Sequence, residues 1–318
     1  MRALCRRDLD ADAFRRLLRA RLFAVLPFDA YCVNTADPRT LNVTSSIGDG
    51  LDAADAARLF AIEHARTDVN VLADLARARV NVATVGAHPE RSERMRAIFL
   101  PRGYVDELRA TLVERGRCWG YLHLFRTTRF TPAEKRIVAS LVKDVAVALR
   151  RAATRTPNLA AGPAEPCVLT FGRDGTLRKT TSTAHTLLHA ISVDERHGGP
   201  PHAIVSLAAA ANARGVTVES AVASRRGLLR LVAIAEAEGA VVILDAARRA
   251  QIVDATLTQH RLSSREQEVC RAILRGLSDK EIATTLDVGI ETVKAHTRAA
   301  FTKLSVSGRG GLLAKLGL

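Results

Sequence analysis

The sequence predicts a multi-domain chain: two α+β units followed by a small all-α unit. Three observations lead there. A length of 318 residues is more than one hydrophobic core needs. Strand-like and helical apolar patterns interleave as far as about Leu257, and only helical patterns follow. Between the first two patterned regions, residues 152–166 are rich in Ala, Thr, Pro and Gly and have no apolar period, which reads as a linker. With 47% hydrophobic and 25% charged residues, the composition excludes a mainly disordered chain.

The first unit is expected over residues 8–151. It opens with helical spacing at Phe14, Leu17, Leu18, Leu22 and Val25, which Pro27 ends. Strand-like runs follow at Ala30–Asn34 and Leu41–Ser45, then a helix at Asp52–His64. Ala110–Val113 and Cys118–Phe125 flank the polar turn Glu114–Arg117, which contains Gly116, and read as a β-hairpin. Thr131 is placed to cap a long helix with Pro132 at its first position. Ile137, Val138, Leu141, Val142, Val145 and Leu149 form that helix's apolar stripe. The stripe suits subunit packing, with covering its own sheet the other use open to it, and the first unit as a whole is expected to supply most of a dimer interface.

Arg117-Cys-Trp-Gly-Tyr-Leu-His-Leu-Phe-Arg, Phe130-Thr-Pro-Ala-Glu and the long helix are similar to the second half of a GAF-type domain. Pro89-Glu-Arg-Ser-Glu-Arg and Asp106-Glu-Leu-Arg resemble what precedes it in certain bacterial regulators. The resemblance implies an α+β GAF-like sensor or dimerisation domain. It does not point to an effector site, so the effector-binding residues stay unknown.

The second unit spans residues 167–257. Val168–Phe171 and Thr176–Lys179 flank an Asp-Gly turn and read as a hairpin. A helix follows at Ser182–Ile191, and Leu228–Ala235 with Ala240–Asp245 form a second strand pair. A helix with hairpins in this span resembles a small PAS-like fold. His185 and His189 lie four apart on one predicted helix, and His197 and His202 flank Gly198-Gly-Pro-Pro. His185-Thr-Leu-Leu-His lacks the Glu of a zinc-protease helix, and no third ligand is set by spacing, so they read as ordinary surface histidines. No metal, cofactor or catalytic residue is implied: the chain shows no Gly-rich phosphate loop, nucleophile elbow or carboxylate pair.

Five widely spaced cysteines form no CxxC pair and read mostly as small buried hydrophobes. The charged start Met1 to Asp12 is no signal peptide, and no apolar run nears the ~20 residues that span a bilayer, so the expected location is cytoplasmic. The net charge of +14 suits a polyanionic partner. Only seven of the 47 basic residues are Lys, however, and Arg is spread along the chain, so charge supports nucleic-acid binding without establishing it.

Residues 258–318 carry the sharpest signals. Ser263-Ser-Arg-Glu266 and Ser278-Asp-Lys-Glu281 are capping boxes. Val269, Ile273 and Leu274 face a core from the first helix; Gly276 suits its left-handed C-terminus. Ile282, Ala283 and Leu286 line a short second helix, and Asp287 to Ile290 make a tight turn. A third helix, Glu291 to Leu304, sends Val293, Ala300, Phe301 and Leu304 inward and Lys294, Arg298 and Thr302 outward. Two short helices, a turn and a longer helix with a basic outer face form the helix-turn-helix pattern that places a helix in the DNA major groove.

Leu262-Ser-Ser-Arg-Glu-Gln-Glu-Val, Gly276-Leu-Ser-Asp-Lys-Glu-Ile-Ala, Thr292-Val-Lys-Ala-His and Phe301-Thr-Lys-Leu-Ser-Val together resemble the LuxR-type helix-turn-helix family. The resemblance implies a four-helix domain that binds double-stranded DNA as a homodimer. It implies that Lys294 and Arg298 approach bases, and that Lys280, Thr292, Lys303 and Arg309 contact the backbone. Thr297 belongs to the same DNA-facing set, and Ala295 offers only an apolar contact there. His296 supports the helix. The chain departs from the family pattern at Gly289, where a Ser commonly caps, at Ala295, and at Gly308, Gly310 and Gly311. Those three glycines predict a short fourth helix beginning nearer Leu312.

The functional expectation is a sequence-specific transcriptional regulator whose upstream units sense a small molecule or a protein partner. The rival is an interaction adaptor that only dimerises and carries a DNA-binding tail. A phosphorylated response regulator is excluded by the missing acidic pair and strand-end Asp of a receiver, and an enzyme by the missing catalytic motifs.

Overall fold

The computed structural model describes the chain apart from residues 50, 79, 155–165, 183, 192–198, 225–226, 248 and 317–318. Most of the expected 152–166 linker, together with His197, lies outside the described residues.

The first unit consists of α1 (Arg2–Cys5), α2 (Ala11–Phe23), β1 (Ala30–Ala36), β2 (Val43–Gly48), α3 (Ala53–Ala65), α4 (Leu72–Leu75), β3 (Val82–Thr84), β4 (Asp106–Glu114), β5 (Arg117–Arg126) and α5 (Pro132–Thr154). Its antiparallel sheet runs β2-β1-β5-β4-β3. Thr131 caps α5 as expected: its hydroxyl accepts from the Glu134 amide at 3.2 Å, and its own amide donates to the Glu134 carboxylate at 2.7 Å. The second strand starts two residues later than expected. Leu41 takes a left-handed conformation, φ 64°, in a turn closed by its amide on the Asp37 carbonyl at 2.8 Å.

The stripe on α5 does not serve as a free subunit face. Val138, Val142, Val145 and Leu149 pack with Leu108, Ala110, Leu122 and Leu124 in one core, beneath α2 residues Phe14, Leu18 and Leu22. The stripe is spent on its own sheet, and Ile137, 39% exposed, is what it leaves in solvent. Arg15, fully buried, staples α2 to the sheet through the carbonyls of Val33 and Ser45 at 3.0 and 3.1 Å.

The second unit contains β6 (Cys167–Gly172), β7 (Leu177–Thr180), α6 (Ala184–Ile191), α7 (His202–Arg214), β8 (Val218–Ser224), β9 (Gly227–Glu236) and β10 (Gly239–Ala246). Its sheet runs β7-β6-β10-β9-β8, all antiparallel. Counted within each unit, both sheets have the order 2-1-5-4-3. Helix α7 joins them: it packs on β9 and β10 on one side and on α3 and β2 on the other. Every residue from His202 to Ala211 is buried, and its run of alanines permits close approach from both sides. One apolar cluster consequently holds Phe60, Leu72 and Tyr121 of the first unit together with Leu207, Leu231 and Leu244 of the second.

Of the histidines weighed as ligands, His189 is exposed and His202 is buried on α7, while the side chain of His185 lies outside the described residues. Cys5, Cys118, Cys167 and Cys270 are buried and Cys32 is half-buried. Among the described residues, no helix is long and apolar enough to cross a membrane.

Candidate nucleic-acid interface

The last part of the chain folds as α8 (Arg249–Gln259), α9 (Ser264–Leu274), α10 (Asp279–Leu286), α11 (Ile290–Leu304) and α12 (Arg309–Lys315). Both capping boxes form. The Ser263 hydroxyl accepts from the Glu266 amide at 3.3 Å while the Ser263 amide donates to the Glu266 carboxylate at 2.6 Å; Ser278 and Glu281 repeat the pattern at 3.3 and 2.7 Å. Each box satisfies amides that a helix start leaves unpaired. Asp287 at φ 52° ends α10, and Gly289 enters α11 without a side-chain cap. Burial of Val269, Ile273, Ile282, Val293, Ala300 and Leu304 in one core fixes the three helices together.

Burial of Val293, Ala300 and Leu304 sets the rotation of α11. Thr292, Lys294, Ala295 and Arg298 are consequently exposed on its other side. The Lys294 ammonium donates to Glu291 at 2.7 Å, an exposed pair of little strength. Lys280 is exposed on α10.

The remaining expected contacts are placed differently. Lys303 donates to both carboxylate oxygens of Glu266 at 2.7 and 2.6 Å. Burial raises the Glu266 carboxyl, but the bonds from Lys303 and Ser263 outweigh it and hold the group below its ordinary value. Arg309 donates to the Leu277 carbonyl at 2.6 Å and to Asp279 at 2.7 Å. Both cations therefore brace the domain. Thr297 is half-buried, and its hydroxyl has no hydrogen-bond partner among the described residues. His296 is half-buried as well. Sequence reasoning passed over Ile290, 38% exposed at the start of α11, and Glu291, whose carboxylate occupies Lys294.

The fourth helix begins at Arg309, three residues before the expected start, so Gly310 and Gly311 lie in its first turn. Burial of Leu312 and Leu316 and the two bonds of Arg309 hold that turn despite the glycines. Its seven residues keep it short, as expected.

Residues 260–314 match the family described as "Bacterial regulatory proteins, luxR family". This segment is a LuxR-family helix-turn-helix domain. No curated protein matches the chain. Among solved structures, Escherichia coli SdiA is similar over 99% of this chain and 94% of its own at 12% identity, with a TM-score of 0.36. The Vibrio cholerae VqmA dimer, in a study of LuxR-type receptors without target DNA, is similar over 48% of this chain and 81% of its own at 12% identity, TM-score 0.22. VqmA bound to DPO gives 13% identity over 46% and 83%, TM-score 0.22. These overall likenesses are loose; the assignment of the LuxR-family domain rests on the match to residues 260–314 and on the helices just described.

Proposed function

We propose that this LuxR-family DNA-binding regulator recognises a specific operator as a homodimer and that its two upstream units sense a small molecule. The observation that carries the DNA part is the exposed row Thr292, Lys294, Ala295 and Arg298 on α11, opposite a buried row that fixes its rotation. Lys294 and Arg298 lie one helical turn apart, suited to base-edge acceptors in the major groove, with Thr292 and Lys280 suited to phosphates. Ala295 offers a methyl for contact with thymine. Lys303 and Arg309 also hold internal bonds, which ranks them behind Thr292 and Lys280 as phosphate contacts. We read residues 8–151 as GAF-like and 167–257 as PAS-like, with 258–318 as the DNA-binding part. The shared five-stranded antiparallel order supports two sensor-type units; the buried contact between them through α7 supports their acting together.

Genome-wide occupancy of the protein, followed by gel-shift titration against a bound promoter and random DNA, tests the reading. Preferential binding to the promoter, with two chains per site by analytical ultracentrifugation and a steep loss of affinity with salt, is expected. Equal affinity for both DNAs would overturn sequence-specific regulation.

A further inference from the structure

The two faces of the first sheet differ in chemistry. Toward α2 and α5 the strands present Val33, Leu108, Ala110, Leu122 and Leu124. On the other face, the register aligns Cys32 with His123 and Arg109 in one row, and Asn34 with Tyr121 and Thr111 in the next. Ser46 stands beside Asn34, and Gly48 beside Cys32. A face built only for packing would be apolar, because each buried polar group loses its water. This face instead walls a cavity of about 140 Å³, closed from the opposite side by α3 and Phe99.

The cavity's charges are already matched. Arg109 pairs with Glu63 at 2.8 Å and Glu107 at 3.1 Å, Arg102 pairs with Asp55, and the Asp49 carboxylate accepts from the Tyr31 amide at 3.2 Å with Arg19 at 4.0 Å. Burial holds the His123 imidazole below its ordinary pKa, so it stands neutral beside Glu107. Neither sign is left over to bind a counter-charge. The Ser46 hydroxyl is different: its residue is 4% exposed, it lines the cavity, and it has no hydrogen-bond partner among the described residues. Phe125 lies on that same face, two residues along β5 from His123, and stacks on Phe99 from the opposite side with centroids 4.2 Å apart, while Phe60 adds a third ring.

We propose that this cavity binds a small neutral molecule built on a single aromatic or heteroaromatic ring. Its polar edge bonds to the Ser46 hydroxyl and its ring lies against Phe60, Phe99 and Phe125. The volume sets the size, since a cavity on the order of 150 Å³ accommodates one benzene-sized ring. The proposal deepens the sensing part of the proposed function and rests on it for its biological meaning, although binding is measurable without DNA. Phe60 also meets His202 of α7 edge-on at 5.6 Å, so an occupant touching Phe60 bears on the helix that joins the two units.

The test is calorimetric titration of the full-length, DNA-free protein with benzamide and 2-hydroxypyridine as neutral probes, and with benzoate and benzylamine as charged ones. Saturable binding of a neutral probe at millimolar concentration, with benzoate and benzylamine weaker, is expected. Ser46→Ala should weaken that binding about 10-fold, the worth of one hydrogen bond, while leaving the melting temperature of the unliganded protein unchanged or higher. Ala56→Leu, which extends a cavity-lining side chain into the space, should abolish it. Failure of both neutral probes to bind, preference for a charged probe, or equal binding by wild type and Ser46→Ala overturns the proposal. Operator binding by the same preparation is read separately: its absence counts against the regulator reading alone, and its presence without probe binding counts against the cavity alone.

Discussion

The Nε2 atom of His64 on α3 lies 3.1 Å from the Ser206 hydroxyl on α7, which joins the first sheet's covering helix to the second unit. Burial, with Arg214 adding to it and Glu63 opposing, lowers the His64 pKa from 6.5 to about 4. The unfolded chain therefore takes up a proton near pH 6.5, while the fold resists it down to about pH 4. The stability that neutral His64 contributes is whole above pH 6.5 and is lost as pH falls through that window. Unfolding by urea should show a loss of about 1–2 kcal/mol between pH 7 and pH 5 from this site. His123 and His260 are shifted in the same direction and steepen the decline. His64→Gln should flatten it; an unchanged pH slope in that variant would show that the site titrates as in the unfolded chain.

For the DNA face, Lys294→Ala and Arg298→Ala should each weaken operator binding by about 1–3 kcal/mol and leave the melting temperature unchanged. Both side chains are exposed, and neither holds a core group. Gel-shift titration against operator and random DNA decides it. If the variants lost only their affinity for random DNA, the groove assignment of α11 would be wrong.

Lys303→Ala should behave in the opposite way. Glu266 is 5% exposed and carries the α9 capping box, so removing its cation leaves a buried carboxylate short of a partner. A drop in stability of about 1–3 kcal/mol is expected, with DNA affinity falling only as folded protein is lost. Full stability together with a reduced salt slope of DNA binding would instead restore Lys303 to the phosphate contacts.

Local chemistry made the last domain legible in the sequence. Ser263 with Glu266, and Ser278 with Glu281, advertise helix starts by side chains three residues apart, and the structure forms both boxes. The strands of the first hairpin were legible in their apolar stretch, Ala110–Val113. Their polar beginning was not, because Glu107 and Arg109 meet their partners Arg94 and Glu63 only in the fold. Helix α7 left no signal for a different reason. A helix buried on both sides has no polar face, and without one there is no 3.6-residue alternation to find. The cavity wall was hidden likewise, since Asn34, Ser46 and His123 meet only through strand register.

Gly310 and Gly311 make a paired test of the fourth helix. A methyl group on Gly310 meets nothing within 4 Å, whereas one on Gly311 comes 3.3 Å from the Val306 side chain. Gly310→Ala should stabilise the chain by about 0.5–1 kcal/mol by removing freedom from the unfolded state. Gly311→Ala should gain less or lose, because Val306 must yield. Thermal unfolding of the two variants compares them directly, and equal gains would mean that the contact to Val306 relaxes at no cost.

The domain's attachment to the rest of the chain turns on Glu114, at the end of β4. Its carboxylate is 4% exposed and bonds to Arg150 of α5 at 2.8 Å and to Arg261, in the short connection between α8 and α9. Arg150 also donates to the Gln259 carbonyl at 3.2 Å, and Arg117 to that of Thr258 at 3.3 Å, so the end of α8 is pinned to the first unit. The two arginines are not equivalent. The Arg150 side chain is 9% exposed, and Glu114→Gln strands its charge; breaking such a pair costs about 3–5 kcal/mol. Arg261 is 38% exposed, so Arg261→Ala should cost at most about 1 kcal/mol while releasing one tether of the DNA-binding domain. Hydrogen exchange separates global stability from local release: Glu114→Gln should speed exchange across the first sheet, and Arg261→Ala only around residues 256–264. If Arg261→Ala left that segment as protected as in wild type, the tether would reside in the backbone bonds from Arg150 and Arg117, and a signal from the first unit would reach α11 through the α8 backbone and not through Glu114.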